Sequence, residues 1–304
     1  MVFMGQNNQK AFTLMELLVV IAVIGLLSSI IFAITRGANE QGRIAKGLYF
    51  SQHLHNSLGS YTAGIWSFDE GTGTVANDIS GWNNNGTLVN APTWRCASTD
   101  LSYTPSGQGC SLEFNGVNNY INLGYRSSLQ MGTGAITMEM WIKPDSFPSG
   151  TESMNLFYGG ATGGASGYGA SIRYSTGMFR YEVYGSTGGR QPYEPNIGIK
   201  IGEWQHITAV FDGVNNQMKA YRDGIEKDSR NISDPGNVQN TSNFYIGSYG
   251  STQQYFDGSI DEVRIYATAL SLAQIESQYY VGLERLFAKG QISQEEYRSL
   301  LTRK

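Results

Sequence analysis

The hydrophobic pattern changes period along this chain and divides it. Residues 14–34 are apolar apart from one charge, Glu16. As a helix these 21 residues reach about 31 Å, roughly the hydrocarbon thickness of a bilayer. From Gly37 to Leu58, Ile44, Leu48, Ser51, Leu54 and Leu58 lie near one helical stripe, which predicts that the helix continues beyond the apolar stretch. His53 and His55 are two apart and do not share a helical face, so they read as solvent or packing residues rather than metal ligands.

From Gly64 the period becomes two. In "AITMEMWIK", Ile136, Met138, Met140 and Ile142 alternate with Thr137, Glu139, Trp141 and Lys143, which predicts a half-buried strand. Asp223-Gly224, between "KAYR" and "IEKD", predicts a hairpin turn. "FNGVNNY" and "FDGVNNQ" read as two similar turns rather than a repeat. Many short strands cut by Gly, Asn and Asp, with no helix between them, predict an antiparallel sandwich. The tail returns to helical signals. Ser271 and Gln274 form a capping box that opens a helix through about Tyr280. Gly290 ends a helix, and Ser293 with Glu296 opens the next. Leu283, Leu286, Phe287, Ile292, Tyr297, Leu300 and Leu301 supply one apolar stripe, too small for a core of its own.

Composition agrees with a glycine-turned, aromatic-rich β protein: 38 Gly and 19 Tyr, with 15% charged residues. A formal net charge of −4 gives no reason to expect nucleic acid or an anionic membrane surface as partner. Cys96 and Cys110 enclose 13 residues and read either as a local disulfide in an oxidising compartment or as two thiols. No enzyme is expected. A retaining glycosidase needs two carboxylates about 5–5.5 Å apart. Asp261 and Glu262 are adjacent, so a regular strand would send them to opposite faces, and Glu139 has no acidic residue at i+2 or i+4. No CxxC pair, HExxH, GxSxG or Walker loop occurs, and the glycine-rich "YGGATGGASGYGAS" lacks the GK[ST] ending and reads as a flexible hairpin.

The stretch "KAFTLMELLVVIAVIGLL" resembles the type IV pilin and pseudopilin leader. The resemblance implies cleavage by a prepilin peptidase between Ala11 and Phe12, with Ala11 where the family usually has Gly, and methylation of the new N-terminus. It also implies that Glu16 is the fifth mature residue. Phe12 and Glu16 are then i and i+4, so the carboxylate can offset the new ammonium in its own chain or meet that of a neighbour. A buried carboxylate is tolerable when paired, which would let Glu16 set the register of packed helices. Arg36, Arg43 and Lys46 follow the apolar stretch while Lys10 alone precedes it at close range, so the positive-inside rule by itself would turn the body inward. The pilin resemblance implies the opposite: a single pass in the cytoplasmic membrane, the head outside, and a filament or cell surface after assembly.

A second resemblance follows from "WSFDEGTGTVANDISGWNNNGTL", "SLEFNGVNNYINLG", "EMWIKP", "GEWQHITAVFDG", "AYRDG" and "FDGSIDEVRIYATALS". In this order they resemble the concanavalin A-like/laminin G superfamily in its bacterial jelly-roll form, over roughly Gly64 to Tyr280. This implies a two-sheet jelly roll of about a dozen strands, with Trp141 and Trp204 in the core and Phe114, Tyr120 and Phe211 as packing residues. It also implies a structural Ca2+, for which Asp78, Asn83 and Asp261 are the candidate ligands. Asx-turns are the other reading of Asp78 and the asparagines. The organisation expected is a leader at 1–11, an N-terminal helix at 12–59 with its membrane part at 14–34, a sandwich at 60–280 and a short C-terminal helical hairpin at 281–304. The function expected is a type IV pilin-like subunit, polymerising with like or unlike subunits, whose laminin G-like head adheres to glycans or surface proteins. The alternatives are a pseudopilin of a secretion or DNA-uptake system and a membrane-anchored binding protein that does not polymerise.

Overall fold

A computed structural model describes residues 58–96 and 109–302, apart from 151, 161–165, 188, 252, 289 and 291, together with most positions between 14 and 28. The expectations placed on Ala11, Phe12, Glu16 and the helix through 57 therefore lie outside the described residues. The chain divides into two compact units, Met1–Tyr49 and Phe50–Lys304. In the first, the described positions between 14 and 28 are helical, with Leu14, Leu18 and Leu27 exposed. No described helix is long and apolar enough to cross a membrane.

The second unit is an antiparallel sandwich of two sheets. Along the chain come β1 (Thr62–Trp66), β2 (Val75–Ala76), β3 (Gly86–Val89), β4 (Thr93–Cys96), β5 (Cys110–Asn115) and β6 (Tyr120–Gly124). Next are β7 (Ile136–Pro144), β8 (Ser153–Gly160), β9 (Gly167–Arg173), β10 (Met178–Gly185) and β11 (Gly189–Tyr193). The last are β12 (Gln205–Asp212), β13 (Gln217–Arg222), β14 (Ile225–Asn231), β15 (Phe244–Ile246) and β16 (Asp257–Tyr266). The first sheet runs β14-β13-β12-β7-β16-β5-β4, with β1 also on β16; the second runs β11-β10-β9-β8-β15-β6-β3-β2. Local chemistry explains several joints. Asp223 and Gly224 both take positive φ (55° and 75°) in the turn between β13 and β14, as a tight hairpin requires. Asn115 and Asp212 each hold their similar turns through a side-chain oxygen that accepts from the backbone N–H groups two and three residues on.

The core lies between the sheets. Ile136, Met138, Met140 and Ile142 of β7 enter it as the alternation requires, beside Phe114, Phe211 and the wholly buried Trp66. The expectation of a half-buried β7 needs correction, because Thr137, Glu139 and Trp141 on its other face are also buried. Thr137 is held by Thr268 and Leu270 just before α1 (Leu272–Ala288), and α1 itself covers Glu139 and Trp141; it runs eight residues past Tyr280, so the boundary drawn at 280/281 falls inside a helix. Trp141 is therefore not in the inter-sheet core but under α1, stacked on Tyr279 with ring centroids 5.8 Å apart. Trp204 is only half-buried. A Cβ at Gly282 would sit 2.6 Å from the Trp141 ring, so glycine in mid-helix is what lets the indole lie against α1.

Both capping boxes form. Ser271 N–H donates to Gln274 at 2.7 Å, and Ser293 N–H to the Glu296 carboxylate at 2.8 Å, opening α1 and α2 (Gln294–Thr302). Phe287 stacks on Tyr297 at 4.7 Å and closes the hairpin. Leu58, where the described part of the head begins, packs with Val210, Tyr221, Tyr266, Leu270 and Ile275 in a second apolar cluster at the start of α1.

Candidate functional site

Cys96 and Cys110 are disulfide-bonded at paired positions of β4 and β5, as one of the two sequence readings had it. Gly71 abuts the bridge: a Cβ there would lie 2.9 Å from the Cys110 Sγ.

The 77–85 loop covers the open edge of β1. Ile65 N–H donates to Asp78 Oδ1 at 2.9 Å, and Ile65 C=O accepts from Ile79 N–H at 2.9 Å. Asn84 Nδ2 donates to Ala63 C=O and the Trp82 indole N–H to Thr62 C=O, both at 2.8 Å. Side chains thus satisfy an edge that would otherwise present unpaired backbone groups. Asp78 also accepts from Ser80 N–H and Asn84 N–H, each at 2.9 Å, so its carboxylate is fully engaged with backbone.

The three residues chosen for Ca2+ do not fit one donor set. Asn83 is exposed with φ 57°. Asp78 is bound at Ile65, opposite Arg264, whereas Asp261 lies wholly buried further along β16, opposite Trp141. Among the described residues no three His, Cys, Asp or Glu side chains group as metal ligands.

The outer face of the first sheet carries a closed charge cluster. The register between β16 and β7 shifts between Asp261 and Arg264, and Glu262 takes φ 51°. This bulge overturns the expectation of opposite faces: Asp261 stands opposite Trp141, and Glu262 reaches Arg264 and Arg285 on the same outer side. Arg264 bridges Glu139 at 3.0 Å and Glu262 at 2.6 Å, and Arg285 of α1 adds a second cation at 3.3 Å from Glu262. Burial pushes the Glu139 carboxyl up, opposed by Arg264. His206 Nε2 stands 4.0 Å from Glu139, and burial, with Arg264, brings the imidazole down to about 3.

The outer face of the second sheet is built differently. Tyr158 lies across β8 and β9 because glycines leave room: a Cβ at Gly169 would be 3.1 Å from its ring, and one at Gly160 would be 2.7 Å from its hydroxyl. Tyr249, half-buried, packs on it at 4.1 Å. Tyr184 donates to Glu182 Oε1 at 2.5 Å, while Arg190 donates to Oε2 through Nε (3.1 Å) and Nη2 (2.7 Å) and covers the Tyr184 ring at 5.2 Å. Burial, with Tyr249 or Glu182 nearby, holds both the Tyr158 and Tyr184 hydroxyls above the usual phenol range, so they stay neutral donors.

The pattern continues across three strands. Arg180 meets Glu182 at 2.6 Å and Glu194 at 3.3 Å, and Glu194 meets Arg173 at 2.6 Å. Three arginines against two glutamates leave this row one positive charge in excess. Tyr120, Tyr245 and Tyr255 form a second aromatic group, with centroids 5.9 and 6.2 Å apart. Arg190 keeps 49% of its side chain exposed. Tyr158, Tyr184 and Glu182 are themselves buried, so the groups of this face open to a polyhydroxyl ligand are the half-buried Tyr249 and the half-exposed Arg190.

Residues 115–276, more than half of the chain, match the family model described as "Concanavalin A-like lectin/glucanases superfamily". The chain belongs to that superfamily. Residues 6–32 match the "Prokaryotic N-terminal methylation motif", so a type IV pilin leader precedes the sandwich. A leader of this kind implies membrane association and processing by prepilin peptidase.

No curated protein matches the chain significantly. Among solved structures, the fold is similar to the binding domain of Paraclostridial Mosquitocidal Protein 1, at 16% identity and a TM-score of 0.57 over 74% of this chain and 53% of that one. It is similar to the botulinum neurotoxin serotype D ligand binding domain in complex with N-acetylneuraminic acid, at 13% identity and 0.58, over 76% and 53%. It is also similar to the botulinum neurotoxin type G receptor binding domain, at 15% and 0.53, over 73% and 51%. This chain spans about half the length of each, and at these identities the likeness concerns the fold.

The tyrosine and arginine face was not singled out in the sequence, although its signal is there. In "MFRYEVYG", Phe179, Tyr181 and Val183 alternate with Arg180, Glu182 and Tyr184, so one face of a single strand carries a cation, an anion and a phenol.

Proposed function

We propose that this is a pilin-type surface protein whose lectin-like head binds glycans on the outer face of the second sheet. The observation that carries the reading is the joining, in one chain, of a methylation-type leader and a concanavalin A-like domain. Polymerisation through the N-terminal helix would repeat the head many times, so weak individual sites gain by avidity. The ligand-facing groups are Tyr249 and Arg190, standing on Tyr158, Tyr184 and Glu182. The excess positive charge of the row, and a protein of the same fold solved with N-acetylneuraminic acid, make acidic sugars the first to test. No catalysis is proposed: Glu139 and Glu262 are held by arginines under α1 rather than facing an open cleft.

The test pairs two measurements on the full-length protein. Glycan-array binding in detergent should be retained by wild type and lost in Tyr249→Ala. Electron microscopy of cells labelled through the head should show filaments with wild type and none with Glu16→Ala. An array blank for wild type would sink the lectin reading. Labelled head confined to the cell envelope of wild-type cells would sink the filament reading and leave an anchored surface protein.

A further inference from the structure

The strand register of the second sheet carries one line of outer-face positions straight across it. Glu182 on β10 pairs with Gly169 on β9, Gly169 with Tyr158 on β8, and Tyr158 with Tyr245 on β15. Tyr245 then pairs with Asn122 on β6, and Asn122 with Thr87 on β3. Their chain neighbours Leu88, Ile121, Leu123, Phe244 and Ile246 enter the core, which fixes Thr87, Asn122 and Tyr245 on the outside. With strands about 4.8 Å apart, the line from Glu182 to Thr87 extends over about 24 Å. A pyranose ring spans about one strand spacing, so there is length for about four or five linked sugars.

The two ends of the line differ. At β10 the Arg190 guanidinium lies on Glu182, and 49% of its side chain is exposed. From β8 to β3 no position on the line is charged, and the donors there are unspent. Asn122 gives its Oδ1 to Gly124 N–H at 2.9 Å, and its Nδ2 has no partner among the described residues. Nor have the Tyr245 and Thr87 hydroxyls. Tyr245 and Asn122 are half-buried and Thr87 is exposed; Tyr245 is held edge-on against Tyr120, with centroids 5.9 Å apart. Donors set one strand apart on a rigid sheet suit hydroxyls repeated along a sugar chain, because binding exchanges only water for them.

We propose that the ligand is an oligosaccharide lying across the strands, its acidic sugar at Arg190 and its neutral sugars over Tyr245, Asn122 and Thr87. The assignment rests on the lectin reading above and adds to it a ligand length and a direction. The cation at one end and the uncharged donors along the rest are what favour a chain with a single acidic end over a uniformly charged one.

Calorimetric titration of the full chain in detergent tests this, with N-acetylneuraminic acid, sialyllactose and sialyl-lacto-N-tetraose as probes. Affinity should rise at least about tenfold from the monosaccharide to the longest probe. Tyr245→Phe and Thr87→Val keep the shape of each side chain and remove its hydroxyl, and melting checks that the double variant is folded. In that variant the ratio between longest and shortest probe should fall by at least about threefold. A smaller rise in wild type, or a smaller fall in the double variant, overturns the inference and leaves the lectin reading standing. Wild type that binds none of the three also overturns it, while the glycan array separately decides whether the head is a lectin at all.

Discussion

The two sheets of the head each present an outer face with arginines and glutamates, and the two faces were built to opposite ends. On the first sheet, α1 lies over Glu139, Arg264, Glu262 and His206, and every one of these is at most 14% exposed. On the second, no helix among the described residues covers the face. Its row runs from buried Arg180 to half-exposed Arg190, with tyrosine rings beside it. A buried ion pair costs desolvation, and its value lies in not being broken. An exposed one is worth little to stability and stays available to a ligand. The cluster under α1 is therefore a closed joint, whereas the second row joins an equally buried pair, Arg180 and Glu182 at 9% exposure each, to one exposed end at Arg190.

The comparison breaks most sharply at Arg264. Arg264→Ala would leave Glu139 and Glu262 buried with one cation fewer, and Glu139 with none in contact. The expected loss is about 3–5 kcal/mol, read as a fall in the denaturation midpoint of the full chain. A loss under about 1 kcal/mol would mean that α1 lifts and admits water, and that the closed face is not closed.

The second effect is on pH dependence. His206 ionises at about 3 in the folded head against 6.5 for an unperturbed imidazole. Between those values the unfolded chain holds a proton that the folded one does not. Stability therefore falls as pH drops through this window, by about 2 kcal/mol between pH 6.5 and pH 5. Glu139 acts with the opposite sign: its raised carboxyl keeps a proton in the folded state above 4.5, so its contribution is lost as pH rises. Denaturation at pH 7 and pH 5 should show the acid-side loss in wild type and a much smaller one in His206→Asn. Equal losses in the two would place the titration elsewhere.

What the sequence made legible follows from how local each signal is. The Asp223-Gly224 turn, both capping boxes and the inward alternation of β7 depend on neighbours within a few residues, and all appear as read. The second face of β7 could not be read, because its cover arrives more than 130 residues later. The side of the sandwich on which α1 would lie is a tertiary fact. The bulge at Glu262 was hidden for a related reason: alternation assumes a regular strand, and nothing in "GSIDEVRIY" announces the extra residue. The loop holding Asp78, Asn84 and Trp82 left two readings open, a cation site and Asx-turns. A loop rich in Asp and Asn has the composition of a cation site, yet its oxygens are taken by backbone N–H groups and its amide and indole donors by carbonyls of β1. Composition lists donors and acceptors without saying which strand edge lies beside them.

The smallest expected change in stability is at Arg190, and it sharpens the contrast most. Its guanidinium is half-exposed and shares Glu182 with Arg180, so removing it leaves the carboxylate with a cation still 2.6 Å away. Arg190→Ala should therefore lower stability by less than about 1 kcal/mol, as exposed pairs do. The same substitution removes the exposed donor of the row and uncovers one side of the Tyr184 ring. It also takes away the excess positive charge, so binding of an acidic sugar should fall more than binding of a neutral one. Array intensities for sialylated and desialylated forms of the same glycan give that ratio. A variant that loses several kcal/mol while keeping its sugar preference would exchange the roles of the two faces, making the second sheet a structural joint and leaving the ligand site to be sought elsewhere.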